Sequence, residues 1–207
     1  MGIKIRKATE EDAPLLAWAI MTGSRDGKAS GLFDVIFQCA DDAELLDALT
    51  RLVTTATKSY CHYSNFIVAE DGGKVAGVLC GYEPRIAPRE IFTKALAEVG
   101  VDESYEERIA AHLLCVPAID RQTWVLDFIA EPSGSHSFEV IREMVQKSLL
   151  TARLKGYRKV QTMVEIGSRP NQLLFEKLGF SFEDEKRSDY YKELFGRAGI
   201  MRYSLTL

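Results

Sequence analysis

Hydrophobic and polar residues follow two periods along this chain, and the period predicts the element at each point. Alternation at every second residue predicts strands at residues 3–7, 65–70, 74–82 and 201–207. Asp71, Gly72 and Gly73 separate the second and third of these strands, and this composition is typical of a tight hairpin turn. Apolar residues three and four apart predict a first helix that opens at Thr9, ends before a loop at 23–27, and is followed by helices at 31–38 and 42–53.

Residues 83–122 interrupt this run of strands with a helical pattern. We predict one helix at 88–99 and a second that begins at Ser104 as a capping box and continues to 114. His112 lies on or beside the apolar face of the second helix, which favours a packed histidine over a catalytic one. Because strands flank the block on both sides, we interpret it as a helical insertion within a single domain that covers residues 1–207.

The stretch from Thr123 to Phe180 alternates strands and helices. It predicts a strand at 123–130, a loop of small residues at 131–137, a long amphipathic helix at 138–155, a strand at 159–166 and a short helix. A further strand is predicted at 181–185, whereas residues 186–198 follow neither period.

Composition changes this picture little but excludes several classes of function. The chain has 207 residues, 46% hydrophobic and 27% charged, and its net charge of −4 argues against nucleic acid as the main partner. It has no apolar run long enough to cross a membrane. Its four cysteines are widely spaced, without metal-ligand spacing, which predicts reduced thiols in a cytoplasmic protein and no metal.

A nine-residue segment, Gln172-Leu-Leu-Phe-Glu-Lys-Leu-Gly-Phe180, is the most specific motif in the chain. It resembles the leucine-tyrosine-glutamate-lysine-leucine-glycine-phenylalanine ending of the GNAT superfamily of acyl-CoA-dependent N-acetyltransferases. Pro132, Ala152 and Gly156 stand at the spacing of the same family, and residues 3–12 are similar to its usual beginning. The resemblance implies an α/β fold with a mixed sheet of about six to seven strands flanked by helices, carrying the insertion at 83–122.

The same resemblance implies acetyl-CoA as cosubstrate. In the family the fourth and fifth strands splay apart, and the pantetheine arm lies in the gap as a pseudo-strand. The pyrophosphate lies on the loop before the long helix, where free backbone N–H groups favour anions. The cofactor-binding residues implied in this sequence are Phe128, Ile129, Ala130, Ser133, Gly134, Ser135, His136, Ser137, Phe138, Ser168, Asn171 and Phe175.

The sequence departs from the family pattern at three of these places. The two glycine positions of the loop fall on Phe138 and Val140, or on Glu139 and Ile141, and the basic position falls on Ser135 or His136. The tyrosine that commonly assists the departing thiolate is Phe175, which has no hydroxyl. The family's asparagine is Ser168, whose alternative role is to cap the following helix.

Three residues are candidates for catalysis, because amine acetylation needs a proton acceptor and a donor. Asp127 interrupts an apolar strand. The alternative to a catalytic role is that it lies on a polar outward face or makes a structural hydrogen bond. Glu165 ends the fifth predicted strand, and its alternative is a solvated strand end. Tyr191 could replace the missing tyrosine, against the alternative of stacking or surface packing. His62 and His136 are further possible bases.

These observations predict an N-acetyltransferase that transfers an acetyl group from acetyl-CoA to a primary amine by direct attack. The expected partner is a small-molecule or peptide amine, with a homodimer also considered. The alternative is a catalytically degenerate protein of the same fold that acts as a ligand-binding or regulatory module.

Overall fold

A mixed sheet forms the centre of the protein. The structure, a computed structural model, describes residues 2–132 and 138–207. The strands of this part of the chain are β1 (Lys4–Lys7), β2 (Phe66–Asp71), β3 (Lys74–Tyr82), β4 (Thr123–Ala130), β5 (Lys159–Glu165), β6 (Ser181–Arg187) and β7 (Gly199–Thr206). They form one seven-stranded sheet in the order β1-β2-β3-β4-β5-β7-β6. Neighbours are antiparallel except β4 and β5, which run parallel.

Helices cover both faces of this sheet. They are α1 (Ala13–Arg25), α2 (Leu32–Phe37), α3 (Asp42–Leu52), α4 (Arg89–Glu98), α5 (Tyr105–Arg108), α6 (Ala110–Cys115), α7 (Phe138–Leu154), α8 (Arg169–Lys177) and α9 (Asp189–Phe195). Short 3₁₀ helices lie at Glu10–Asp12, Tyr63–Asn65 and Pro84–Ile86. Among the described residues, no helix is long and apolar enough to cross a membrane.

The two larger of three hydrophobic cores among the described residues lie on opposite faces of the sheet, and the third lies around Tyr191 and Phe195. In one core, helices α1, α2, α3 and α4 pack against strand residues such as Val78 and Val125. The other joins α7 and α8 to strand residues such as Leu79 and Leu126. Successive strand residues point to opposite faces, so Val78 and Leu79 each belong to a different core. This architecture confirms the predicted fold class, with its mixed sheet and its helical insertion between β3 and β4.

Some predicted boundaries were wrong. Residues 23–25 belong to α1, which ends in a left-handed cap at Asp26 (φ 48°), so the predicted loop starts later. Ser104 forms no capping box, because its backbone N–H donates to the side chain of Asp102 at 2.9 Å. The predicted helix at 104–114 is divided at Ile109 into α5 and α6.

Candidate active site between the fourth and fifth strands

The two parallel strands separate along their length. Their paired residues run from Thr123 with Lys159 to Val125 with Gln161, although β4 continues to Ala130 and β5 to Glu165. The carboxyl halves of both strands therefore lack each other as partners. Residues from both halves line a cavity of about 290 Å³, which α1, α2, α4, α6 and α9 also enclose.

A β-bulge directs two consecutive side chains of β4 into this cavity. Cys80 pairs with Asp127 and Val78 pairs with Ala130, so β4 contains one residue more than β3 over this interval. Phe128 lies within the bulge and has a positive φ of 46°. Strand alternation would place Phe128 on the α7 face, but the bulge places both Asp127 and Phe128 on the cavity face.

The carboxyl group of Asp127 is enclosed by protein although part of it borders the cavity. Its Oδ1 accepts a hydrogen bond from the backbone N–H of Phe128 at 2.8 Å. Burial raises the pKa of Asp127 to about 7, against a smaller lowering by that N–H. The predicted alternative of an outward-facing aspartate is therefore wrong, and this carboxyl exchanges its proton near neutral pH.

Glu165 is held by partners from two distant segments. Its carboxylate accepts hydrogen bonds at Oε1 from Lys28 Nζ and from the hydroxyl of Tyr191, both at 2.7 Å. Arg197 Nε lies 3.8 Å from its Oε2. Only 14% of the Glu165 side chain is exposed, so the alternative of a solvated strand end is wrong.

Tyr191 is buried and keeps its proton. Burial raises the pKa of its phenol, and the carboxylate of Glu165 raises this pKa further. Its ring packs on Phe195 with 4.7 Å between centroids. The ring of His112 lies 6.3 Å from that of Tyr191, and burial lowers the pKa of His112 to about 4, so this imidazole is neutral at neutral pH. His112 is packed, as predicted, but it also lines the cavity.

The structure separates the residues proposed for cofactor contact. Phe128 and Ala130 belong to the core on the cavity face, whereas Ile129 packs against the core under α7. Asn171 lines the cavity and donates from Nδ2 to Asp26 Oδ1 at 2.7 Å. Phe175 packs edge-to-face on Phe180 with 5.4 Å between centroids and is not part of the cavity wall.

Ser168 and Phe138 occupy the starts of helices. Ser168 occupies the N-cap position of α8, as predicted, but its side chain makes no capping hydrogen bond. Its buried Oγ has no hydrogen-bond partner among the described residues. Phe138 begins α7, and Lys177 Nζ lies 3.9 Å from its ring centroid. The predicted phosphate-binding residues Ser133, Gly134, Ser135, His136 and Ser137 lie outside the described residues.

Sequence reasoning missed two components of the site. Lys28 lies 137 residues before its partner Glu165, and no local pattern marks it as an ion-pair residue. The aromatic wall of the cavity comes from segments as distant as α2, β3 and α4, where each ring fits an ordinary core position. His62, a further predicted base, is buried elsewhere and contacts Ser64 through Nδ1 at 2.8 Å.

Three solved structures with this arrangement are similar to the chain over nearly their whole length. The sequence itself matches no model of a protein family and no curated protein. An N-acetyltransferase from Staphylococcus aureus Mu50 is 17% identical, with a TM-score of 0.69, over 99% of this chain and 100% of that chain. An acetyltransferase of the GNAT family from Streptococcus pneumoniae is 15% identical, with a TM-score of 0.53, over 100% and 99%.

A third structure was solved with a ligand. The yncA protein from Salmonella typhimurium, with its cofactor acetyl-CoA, is 15% identical, with a TM-score of 0.55, over 100% of this chain and 95% of that chain. At these identities the likeness defines the fold. The chain has the fold of the GNAT acetyltransferases, which confirms the predicted resemblance.

Proposed function

We propose that this protein is an acetyltransferase that moves the acetyl group of acetyl-CoA to a primary amine, with Asp127 as the proton acceptor. One observation supports it above the others. A carboxyl group whose pKa lies near 7 borders the cavity where β4 and β5 separate. The fold supports the same activity, because structures that share it are acetyltransferases and one contains acetyl-CoA.

The reaction must remove a proton from the amine before it can attack. A primary ammonium group has a pKa of about 10.4 in water, so an acceptor is needed at neutral pH. The carboxylate of Asp127 takes one proton from the ammonium, and the neutral nitrogen attacks the thioester carbonyl carbon. The C–S bond then breaks and the amide forms. The departing sulfur takes a proton from the hydroxyl of Tyr191, and the second proton lost by the nitrogen restores that hydroxyl.

We assign the pantetheine arm to the edge of β4 that β5 leaves unpaired. Phe128, Ile129 and Ala130 lie on this edge, beyond the last pair at Val125 and Gln161. A polar ligand backbone alongside the edge would satisfy strand groups that lack a neighbouring strand. Asn171 lies at the same cavity, and Phe138 and Ser168 at helix starts, so we assign them to the cofactor as well.

Tyr191 is the proposed donor to the departing sulfur. Phe175 stands where the family has a tyrosine, but it packs in the core, whereas the Tyr191 hydroxyl lies at the cavity. Its raised pKa keeps the hydroxyl proton available. In the structure the hydroxyl of Tyr191 donates a hydrogen bond to Glu165. To protonate the sulfur, the hydroxyl must exchange this partner for the sulfur. Glu165, fixed by Lys28, positions the tyrosine.

Calorimetry and an assay of thiol release test this proposal together. Acetyl-CoA should bind the purified protein, and at least one member of a primary amine panel should be acetylated. Asp127→Asn should abolish most transfer while preserving acetyl-CoA binding. Asp47→Asn is the matched control, because Asp47 is 74% exposed on α3. Binding without transfer to any amine would favour the non-catalytic alternative, and no binding at millimolar acetyl-CoA would refute the proposal.

A further inference from the structure

Six aromatic rings form a continuous wall along one part of the cavity, which we call the aromatic pocket. Its members are Phe33, Tyr60, Tyr82, Phe92, Tyr105 and Phe128. The rings touch in sequence: the centroids of Tyr60 and Phe92 are 4.8 Å apart, and those of Tyr60 and Tyr82 are 5.5 Å apart. Phe33 contacts Phe128 at 5.9 Å. The surface offered to a ligand is therefore mainly the faces and edges of rings.

The rings differ in how much polarity they bring. The hydroxyl of Tyr105 hydrogen-bonds to Thr93 Oγ1 at 2.7 Å. Tyr60 and Tyr82 bring one further hydroxyl each. Phe33, Phe92 and Phe128 have no polar atoms in their side chains. A ligand in the aromatic pocket therefore gains mostly apolar contact, for which a compact hydrocarbon body is the best complement.

Asp127 places one negative charge beside these rings. It stands opposite Cys80 on β3, two residues before Tyr82, and its charge contributes to the raised pKa values of Tyr60 and Tyr82. Ring faces are electron-rich and attract cations, and a carboxylate at their edge adds direct charge attraction. An ammonium group is the ligand group that satisfies both.

The other charged groups of the cavity are already engaged. Glu165 accepts from Lys28, and Asp26 accepts from Asn171. Arg89 is 54% exposed and lies 3.4 Å from Glu106, which places it at the rim. Within residues 2–132 and 138–207, the two cations nearest the cavity, Lys28 beside Glu165 and Arg89 at the rim, each already have a carboxylate partner. A free amino acid or an acidic substrate is therefore poorly matched.

We propose that the acceptor is a small primary monoamine with an aromatic or branched apolar body, bound with its ammonium group at Asp127 and its body in the aromatic pocket. The acetylation of this amine rests on the proposed function, whereas its binding in the pocket does not. A cavity of about 290 Å³ lies near the lower end of the usual range for ligand pockets, about 300–1,000 Å³, which favours a small molecule.

Calorimetry on the protein without acetyl-CoA tests binding separately from catalysis. The probe is 2-phenylethylamine, compared with 2-phenylethanol, which lacks the charge, with 3-phenylpropionate, which reverses it, and with spermidine, which lacks the apolar body. We expect 2-phenylethylamine to bind at least about tenfold more tightly than each of the three. Equal or tighter binding of spermidine or 3-phenylpropionate would overturn the proposal.

Two variants and one control assign the binding to the named groups. Asp127→Asn should weaken 2-phenylethylamine binding by about tenfold to a hundredfold, because a charge-assisted hydrogen bond is lost. Phe92→Leu should weaken it by about threefold to tenfold. Phe182→Leu should leave it unchanged, because Phe182 is an exposed residue of β6. Unchanged binding in both pocket variants, with circular dichroism showing that they are folded, would contradict the assignment.

Failure of this inference is distinguishable from failure of the proposed function. Acetylation of spermidine, with no binding of 2-phenylethylamine, would refute the apolar amine and keep the transferase. Tight binding of 2-phenylethylamine, with no binding of acetyl-CoA and no acetyl transfer to any amine of the panel, would keep the pocket and refute the transferase.

Discussion

At the scale of single residues, the site depends on what each carboxyl group has for a neighbour. Asp127 and Glu165 are both acidic residues of adjacent strands that line one cavity. Asp127 has a backbone N–H as its partner and lies near the buried phenols of Tyr60 and Tyr82, so burial determines its pKa. Glu165 has an ammonium group and a phenol, so its charge is compensated. Asp127 is therefore the residue suited to accept a proton, and Glu165 the residue suited to hold other groups.

The activity should follow the ionisation of Asp127. In the proposed reaction the carboxylate of Asp127 is the base, so kcat/KM should rise with pH and level off with a midpoint near the pKa of about 7. Asp127→Asn should lower kcat/KM by about a hundredfold to ten-thousandfold and remove this inflection. A pH profile of both proteins checks this, and an unchanged inflection in the variant would assign it to another group.

The stability of the fold should fall as the pH rises, because the same carboxyl group is buried. Between the unfolded pKa near 4 and the folded pKa of about 7, the folded chain keeps a proton that the unfolded chain releases. Stability is therefore lost as the pH rises through this window, by about 4 kcal/mol in total. Asp127→Asn should have a higher free energy of unfolding than the wild type at pH 8 and a similar one at pH 4, as measured by chemical denaturation.

The ion pair between Lys28 and Glu165 gives a third prediction. The two side chains are only 16% and 14% exposed, so removing one partner leaves a poorly solvated charge. Lys28→Met should destabilise the fold by roughly 2 kcal/mol, and Lys28→Met combined with Glu165→Gln should recover part of this loss. Additive losses in the double variant, measured by urea unfolding, would show that the pair is not coupled.

At the scale of elements, one wall of the cavity forms where α1, α2 and β4 meet at close range. The bulge in β4 turns Phe128 toward α1, where a Cβ added to Gly23 would lie 3.3 Å from Phe128 Cα. At the corner between α1 and α2, a Cβ added to Gly31 would lie 2.3 Å from the carbonyl oxygen of Ser24. Glycine at these two contacts allows backbone to approach backbone, and this approach determines the position of the cavity wall.

Two glycine substitutions near this corner should distinguish the cost of a steric clash from the cost of a strained backbone conformation. Gly31→Ala should destabilise the fold by about 3 kcal/mol, because the clash is with backbone rather than with a flexible side chain. The control is Gly27→Ala, where φ is +76° and nothing lies within 4 Å of the added Cβ, so only about 1 kcal/mol of left-handed strain is expected. A larger loss for Gly27→Ala, measured as ΔG of unfolding, would contradict this ranking.

At the scale of the whole molecule, the sheet is joined at a short seam. Strands β1 to β4 lie on one side and β5 to β7 on the other, and three residue pairs connect β4 to β5. By contrast, β5 and β7 are paired over seven residues. A ligand that fills the gap would contact both halves of the sheet and add to the seam.

Binding of acetyl-CoA should accordingly stabilise the whole fold. At a free concentration of one hundred times its Kd, the gain should be about 2.7 kcal/mol, visible as a rise in Tm. Amide hydrogen exchange should slow at residues 126–130 and 162–165, where the strands lack each other as partners. Protection confined to β1 and β2 would place the ligand elsewhere. Desulfo-CoA, which lacks the thioester, is a useful comparison.

The sequence determined the elements whose signals are local. The hairpin at Asp71–Gly73, the strands with strict alternation and the segment ending at Phe180 were predicted, because turn chemistry and periodicity depend on neighbouring residues. Helix α9 was not predicted, because only Tyr191 and Phe195 of its seven residues are buried, which is too few to give a period.

Only the tertiary structure decided the chemistry of the site. Asp127 was found as an acidic residue in an apolar strand, but its pKa depends on burial beside residues far away in the chain, such as Tyr60 and Tyr82. The pairing of Glu165 with Lys28 joins residues far apart in the chain. Burial and ion pairing are properties of the folded surroundings, and no local pattern of residues encodes them.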